Sequence, residues 1–324
     1  MTVLAMVSRQ TISPGWRVAG LMALAVIAIL PGFGGPFVLH LAILAALNVL
    51  IVNGLSLINM GGQLSLGHAA FVAVGAYASV LASQHLGWSF FPGALVGVVL
   101  TALIAGVLGW VILRLRGVYF VLVTFAFGEL VRLALLDGSS WSGGANGIAG
   151  IPVATLLGFE FNTRGRFYGL ALVIALLSTG GLWWLFRRPL GHAIKSVRDN
   201  APLAESTGLN VHRLQLTCFV LGCMLAALGG ALQARYIGFV SPESFNTAIS
   251  VAFVIMLVIG GRQSVWGPLI GALVLTPLPE LFRGAVQTQH VFYGAALILI
   301  LRFLPEGLVG AVERVRRVFG KEQA

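Results

Sequence analysis

Residues 37–59 read Phe37-Val38-Leu39-His40-Leu41-Ala42-Ile43-Leu44-Ala45-Ala46-Leu47-Asn48-Val49-Leu50-Ile51-Val52-Asn53-Gly54-Leu55-Ser56-Leu57-Ile58-Asn59, a stretch without Asp, Glu, Lys or Arg. Coiled as an α-helix it rises about 35 Å, enough to cross a hydrocarbon core of roughly 30 Å. Pro36 before it and Gly61-Gly62 after it punctuate both ends. Apolar runs of the same kind recur at 18–30, 64–84, 89–113, 117–136, 167–186, 214–234, 246–260, 267–282 and 289–304. Together they predict an all-α polytopic membrane protein with about ten transmembrane helices, forming a single transmembrane domain over 1–324. Some of these helices are short or broken; Pro268, Pro277 and Pro279 make the run 267–282 divisible into two half-helices.

The composition points the same way. Of 324 residues, 58% are hydrophobic and 9% charged, and mean hydropathy is +0.96. A soluble domain carries about 25% charged residues, so an ordinary soluble enzyme and a disordered chain are both excluded. The net charge of +10 would suggest nucleic acid in a soluble protein, but no basic patch interleaves with aromatics here. The expected surroundings are membrane lipid, with no nucleic-acid partner. Cys218 and Cys223 both sit in an apolar run, which implies neither a disulfide framework nor a metal-binding cluster. Arg9, Arg17 and the run Val18–Leu30 resemble a signal peptide, but Pro31-Gly32-Phe33-Gly34-Gly35 offers no small-x-small cleavage site. The segment reads as an uncleaved first span.

Charge placement sets a topology. With the N-terminus inside, the inner segments hold Arg9, Arg17, Arg114, Arg116, Arg187, Arg188, Lys195, Arg198, Arg213, Arg262, Arg302, Arg314, Arg316, Arg317 and Lys321. The outer segments hold Arg164, Arg166, Arg235 and Arg283, and Arg132 lies within a span. This bias predicts that both termini are cytoplasmic.

The longest inner segment is 187–213. Leu190, Ile194, Val197, Ala201 and Ala204 form one apolar face, with Lys195 and Arg198 elsewhere on the wheel. Asp199 or Asn200 suits the cap of a second short helix that tolerates Pro202 in its first turn, and Gly208 suits its end. Two short amphipathic helices of this kind are either a docking element or a membrane-surface linker. On the outer side, 137–166 is rich in turn residues.

Chemistry is scarce. There is no phosphate-binding Gly-Lys-Ser/Thr loop and no His-Glu-x-x-His motif, and the histidines at 40, 68, 85, 192, 212 and 290 are scattered. No catalytic set, metal site or cofactor is expected. Glu129 and Arg132 share a helix face at i, i+3 in the fifth run. Charges at bilayer depth are costly, so the two are either a static pair reaching the outer surface near Asp137 or part of a transport pathway. A polar trail follows Asn48, Asn53, Asn59, Gln63, Ser65 and His68, with Gly61-Gly62 breaking the helix and Ser65 placed to cap the next. A broken helix offers N–H groups and a positive dipole end to a carboxylate. Interhelical hydrogen bonding explains the same residues equally. Gly222, Ala226 and Gly230 have the spacing of close helix packing. Gly61–Gly67 echoes Gly260–Gly267, as either an internal repeat or a chance likeness of two Gly-rich turns.

Several phrases, taken in order, resemble the branched-chain amino acid permease family of ABC importers. They are Gly62-Gln63-Leu64-Ser65-Leu66-Gly67-His68-Ala69, Gly143-Gly144-Ala145-Asn146-Gly147, Arg198-Asp199-Asn200 with Ala204-Glu205 and Gly208-Leu209-Asn210, Ser241-Pro242-Glu243-Ser244-Phe245, and Gly260-Gly261 with Trp266-Gly267-Pro268. Gly117-Val118-Tyr119-Phe120 with Thr124–Glu129 is similar to the M-type subunit rather than its H-type partner. The sequence departs from the family pattern at Ala201, which separates Asn200 from Pro202, and at the polar pair Ser206-Thr207.

The resemblance implies a permease subunit in the bacterial inner membrane. It would import branched-chain or related amino acids with a second homologous permease (H-type), two cytoplasmic ATPase subunits and a periplasmic or extracytoplasmic substrate-binding protein. ATP hydrolysis would belong to the partners. Segment 187–213 would be the cytoplasmic coupling loop, its set being Arg198, Asp199, Asn200, Ala204, Glu205 and Gly208. Arg198 and Glu205 would make polar contacts in an ATPase groove while the alanine face packs there. Asn48, Asn53, Gln63, Ser65, His68, Glu129 and Arg132 are the translocation-pathway candidates. The alternative is a stand-alone channel or secondary transporter for a small polar solute, which would need ion ligands at the midplane.

Overall fold

The computed structural model describes residues 35–156, 159–281 and 307–310. The long helices are α1 (Gly35–Met60), α2 (His68–Leu86), α3 (Phe90–Ile112), α4 (Val118–Asp137) and α5 (Arg164–Leu185). They are followed by the short pair α6 (Pro189–Asp199) and α7 (Ala201–Ser206), then α8 (Val211–Ile237), α9 (Thr247–Gly261) and α10 (Gly267–Leu275). Among the described residues there are also two pairs of two-residue strands: β1 (Ile148–Ala149) with β4 (Phe239–Val240), and β2 (Thr155–Leu156) with β3 (Phe159–Glu160), all antiparallel.

Among the described residues, 7 helical segments are long and apolar enough to cross a membrane. They match the second to eighth apolar runs. The runs at 18–30 and 289–304 lie outside the described residues. The run at 267–282 is divided: α10 covers only nine residues and stops before Pro277, and a further turn follows at Leu278–Leu281. A proline lacks the N–H that would continue the helix and crowds the preceding turn. The third run, read as starting at Leu64, becomes helical only at His68.

Local signals explain the helix starts. Thr163, Asn210 and Asn246 each accept a hydrogen bond from the backbone N–H three residues on, capping α5, α8 and α9. Gly87 and Gly238 end α2 and α8 in the left-handed conformation.

Helix α8 lies against α1, α2 and α3, while α1 also packs on α5 and α10. Small residues make the central crossing. A Cβ on Gly54 of α1 would meet the carbonyl of Gly222 of α8, and a Cβ on Gly222 would meet that of Gly54. Without side chains there, the two backbones approach closely and gain packing that lipid cannot supply. Phe71, Phe120 and Phe219 fill the core nearby, with ring centroids 5.6 Å apart for Phe71–Phe219 and 6.0 Å for Phe120–Phe219. The outward faces of α3 and α5 carry exposed Leu103, Val107, Val173 and Leu177.

The bundle has two distinct ends. At one, Arg198 reaches Met60 Sδ (3.2 Å), Gln63 donates to the Leu115 carbonyl (3.3 Å), Gln215 donates to the Gly61 carbonyl (3.2 Å), and Arg262 meets Asn59. This basic end gathers the turn at 61, residues 114–116, segment 187–213 and the turn at 262. At the far end, β1 pairs with β4, Arg164 donates to the Pro36 carbonyl, and Arg132 meets Glu243.

Candidate functional site

In segment 187–213, Pro189 opens α6 and Asn200 caps α7, its Oδ1 accepting the Leu203 N–H (3.1 Å). Asp199 instead pairs with Arg198 (Nη2–Oδ1, 2.8 Å). Gly208, at φ +87°, turns the chain toward α8. Most of the apolar stripe is turned inward, Leu190 at its start being 42% exposed: Ile194 packs with Leu57, Met60, Leu182 and Cys218, and Val197 and Ala204 pack with Val211. The alanine face expected in a partner's groove is therefore occupied by the chain's own helices. Arg198 likewise faces Met60 and Asp199. What the loop presents outward includes Leu190, Asp199, Asn200, Leu203 (62% exposed), Glu205 and Ser206.

The junction between α1 and α2 is a descent into the bundle. After Gly62 (φ +86°) the chain is not helical until His68, whose Nε2 lies 3.0 Å from the Ile51 carbonyl. Ile51 is nine residues back along α1 from Met60, which corresponds to about 14 Å of helix rise. Helix α2 thus begins well below the basic end. Its entry is bound by hydroxyls from two other helices: Thr124 of α4 accepts the Leu66 N–H (3.2 Å), and Ser250 of α9 accepts the Ala69 N–H (3.0 Å). Ser65 accepts the Gly67 N–H within the descending turn, and Gly67 occupies the cap position of α2. Gln63, Ser65 and His68 are all buried.

The asparagines of α1 connect helices. Asn48 donates to Thr276 (2.9 Å), and Asn53 donates to Ser178 and Thr179 of α5 (2.8 Å each). Asn59 donates to the Arg262 carbonyl (2.8 Å) and accepts from its guanidinium (3.2 Å). Asn59 and Gln63 also face a cavity of about 1330 Å³ at the basic end. Lys195, Arg198, Asp199 and Arg262 line it, as do apolar groups from α4, α5 and the turn at 262–266.

Glu129 and Arg132 stand at the opposite side of the site. Arg132 Nε lies 2.9 Å from Glu129 Oε2, and its Nη1 lies 2.9 Å from Glu243 Oε1. Thr247 donates to the second Glu129 oxygen. The third partner is thus Glu243, distant in sequence, rather than the neighbouring Asp137. The cluster joins α4 to the entry of α9 and holds two carboxylates to one guanidinium. Sequence reasoning also missed Arg235, counted as an outer-segment charge. It is only 5% exposed, donates to the Pro152 carbonyl (2.8 Å) and bonds to Ser83. Its single sequence signal was a lone charge at the end of an apolar run.

The family described as "Branched-chain amino acid transport system / permease component" matches residues 37–301. The chain is 32% identical over 314 residues to the high-affinity branched-chain amino acid transport system permease protein LivM of Escherichia coli (strain K12), covering 89% of this chain and 74% of that protein. The LivM protein of Salmonella typhimurium gives 32% over 318 residues with the same coverage. The LivH protein of the same organism gives 31% over 126 residues, 38% of this chain and 41% of that one. The likeness to the M-type thus runs through the chain, and that to the H-type covers a part. No solved structure matches.

Proposed function

This chain belongs to the branched-chain amino acid transport permease family, and from that premise we propose that it is the M-type permease subunit of an ATP-driven importer for branched-chain or related amino acids. It works with a second, H-type permease, two cytoplasmic ATPase subunits and an extracytoplasmic binding protein, and lies in the inner membrane with both termini cytoplasmic. ATP hydrolysis belongs to the partners, in keeping with the absence of a phosphate-binding loop from the sequence.

The observation that carries the mechanism is the build of segment 187–213. Its buried stripe fastens it to α1, α5 and α8, while Leu203, Glu205 and Ser206 remain open. A motor pressing on that exposed rim would move α6 and α7 as one piece. Arg198 would relay the movement to the end of α1, and Asn210 to the start of α8. Asp199, Asn200, Ala204 and Gly208 keep the piece rigid. The pathway runs from the far-end cluster of Glu129 and Arg132 toward the cavity at Gln63, beside the buried Ser65 and His68; Asn48 and Asn53 hold its wall helices in register.

Gly208→Pro tests the reading. Proline fixes φ near −65°, which the +87° of Gly208 cannot accommodate. The assembled complex should retain its subunits yet lose most substrate-stimulated ATP hydrolysis. Unchanged coupling would defeat the docking role.

A further inference from the structure

Among the described residues, the cavity at the basic end carries more positive charge than negative. Lys195, Arg198 and Arg262 line it against the single carboxylate of Asp199. Asp199 is already engaged with Arg198 at 2.8 Å. Among the described residues, neither Lys195 nor Arg262 has a carboxylate partner. Arg262 donates to the neutral Asn59 (3.2 Å), and the Lys195 ammonium lies 5.7 Å from the Phe186 ring centroid. The rest of the wall is mixed: Asn59, Gln63, Gln263 and Ser264 are neutral and polar, and Val118, Val121, Val258 and Trp183 are apolar. Two cations without a described carboxylate partner complement a carboxylate, the side-chain oxygens of Gln63, Gln263 and Ser264 can accept from an ammonium, and the valines and Trp183 suit an aliphatic side chain.

We propose that this cavity is a low-affinity regulatory site for an aliphatic amino acid arriving from the motor side, and that its occupancy slows ATP hydrolysis by the partners. The inference rests on the importer reading above. The physical link is conformational. Lys195, Arg198 and Asp199 belong to α6, whereas Arg262 lies beyond α9 and Val118 begins α4, so a movement of α6 toward the other two elements would close the cavity. A ligand that binds only the open arrangement stabilises it and opposes the closure that a hydrolysis cycle requires. The site therefore reports a high internal amino-acid level to the motor without any added regulatory domain.

The test uses the full complex in lipid nanodiscs with its binding protein kept saturated, so that further leucine meets only the low-affinity site. Excess leucine in the millimolar range should lower the hydrolysis rate, whereas isoamylamine, which lacks the carboxylate, should not. Because a hydrogen bond to a charged group is worth a factor of about ten or more, Arg262→Gln should raise the half-inhibiting leucine concentration about tenfold, and Lys195→Gln in the same direction. Arg262→Lys should keep most of the effect and guards against misfolding. The proposal is overturned if excess leucine leaves the rate unchanged, if Arg262→Gln is inhibited like the parent, or if inorganic phosphate inhibits as well as leucine. Binding-protein-stimulated hydrolysis separates the two levels: its presence without leucine inhibition removes this site alone, and its absence removes the importer reading and this site together.

Discussion

The two ends of the bundle are built differently. At the far end, contacts between segments remote in sequence tie the structure shut: β1 with β4, Arg132 with Glu243, and Arg235 with Pro152. At the basic end, a cavity of about 1330 Å³ stands open, and the polar contacts of Asn59, Gln63, Arg198 and Arg262 edge it without filling it. The described arrangement is thus tied together on one side and accessible on the other. The latched side is held by ions and strands that can part. The open side is framed by a helix pair whose position an outside force can change.

Substitutions can break or sharpen this contrast. The largest effect is expected at Arg235. Arg235→Met removes charge-assisted hydrogen bonds from the Pro152 carbonyl and from Ser83, a loss of about 3 kcal/mol. Thermal unfolding in detergent should show it, and protease should nick the 137–163 region faster. If stability and nicking stay unchanged, the far end does not depend on this clamp. A smaller effect is expected for Glu129→Gln. It weakens a partly exposed ion pair worth about 1 kcal/mol, so uptake should fall roughly fivefold while assembly is retained. Intact uptake would reduce the cluster to a structural pair. Smallest is Asn48→Leu, which removes one interhelical hydrogen bond worth about 0.6 kcal/mol. A melting shift of about 2 °C or less with unaltered uptake would mark Asn48 as packing, whereas a loss of uptake would return it to the pathway.

Much of this fold was legible because a membrane span announces itself in one dimension. The run at 37–59 needs no knowledge of its neighbours to be read as α1, and Pro277 divides the ninth run by its own chemistry. The basic end was legible too, since Arg114, Arg116, Lys195 and Arg262 fall in alternate connections and so share one side. The site was less so. The stripe Ile194–Val197–Ala204 was visible as apolar, but periodicity does not say whether a partner or the chain itself covers it; Met60, Val211 and Cys218 cover it here. Glu243 lies 111 residues from Arg132, so no local spacing joins them. The descent from Gly61 to His68 reads as Gly-rich punctuation, and its depth emerges only from the bond between His68 and Ile51.

Helix α8 spans 27 residues without interruption, from the Asn210 cap beside segment 187–213 to Gly238, where the chain enters β4. That is a rod about 40 Å long. A tilt of about 5° around its lower end would sweep the upper end sideways by about 3.5 Å, comparable with the roughly 4.7 Å between paired strands. Under the proposed coupling, a small nudge at the 187–213 collar would therefore be geared into a displacement at the opposite clasp of the order of a strand spacing, with no signal needing to pass through the side chains between.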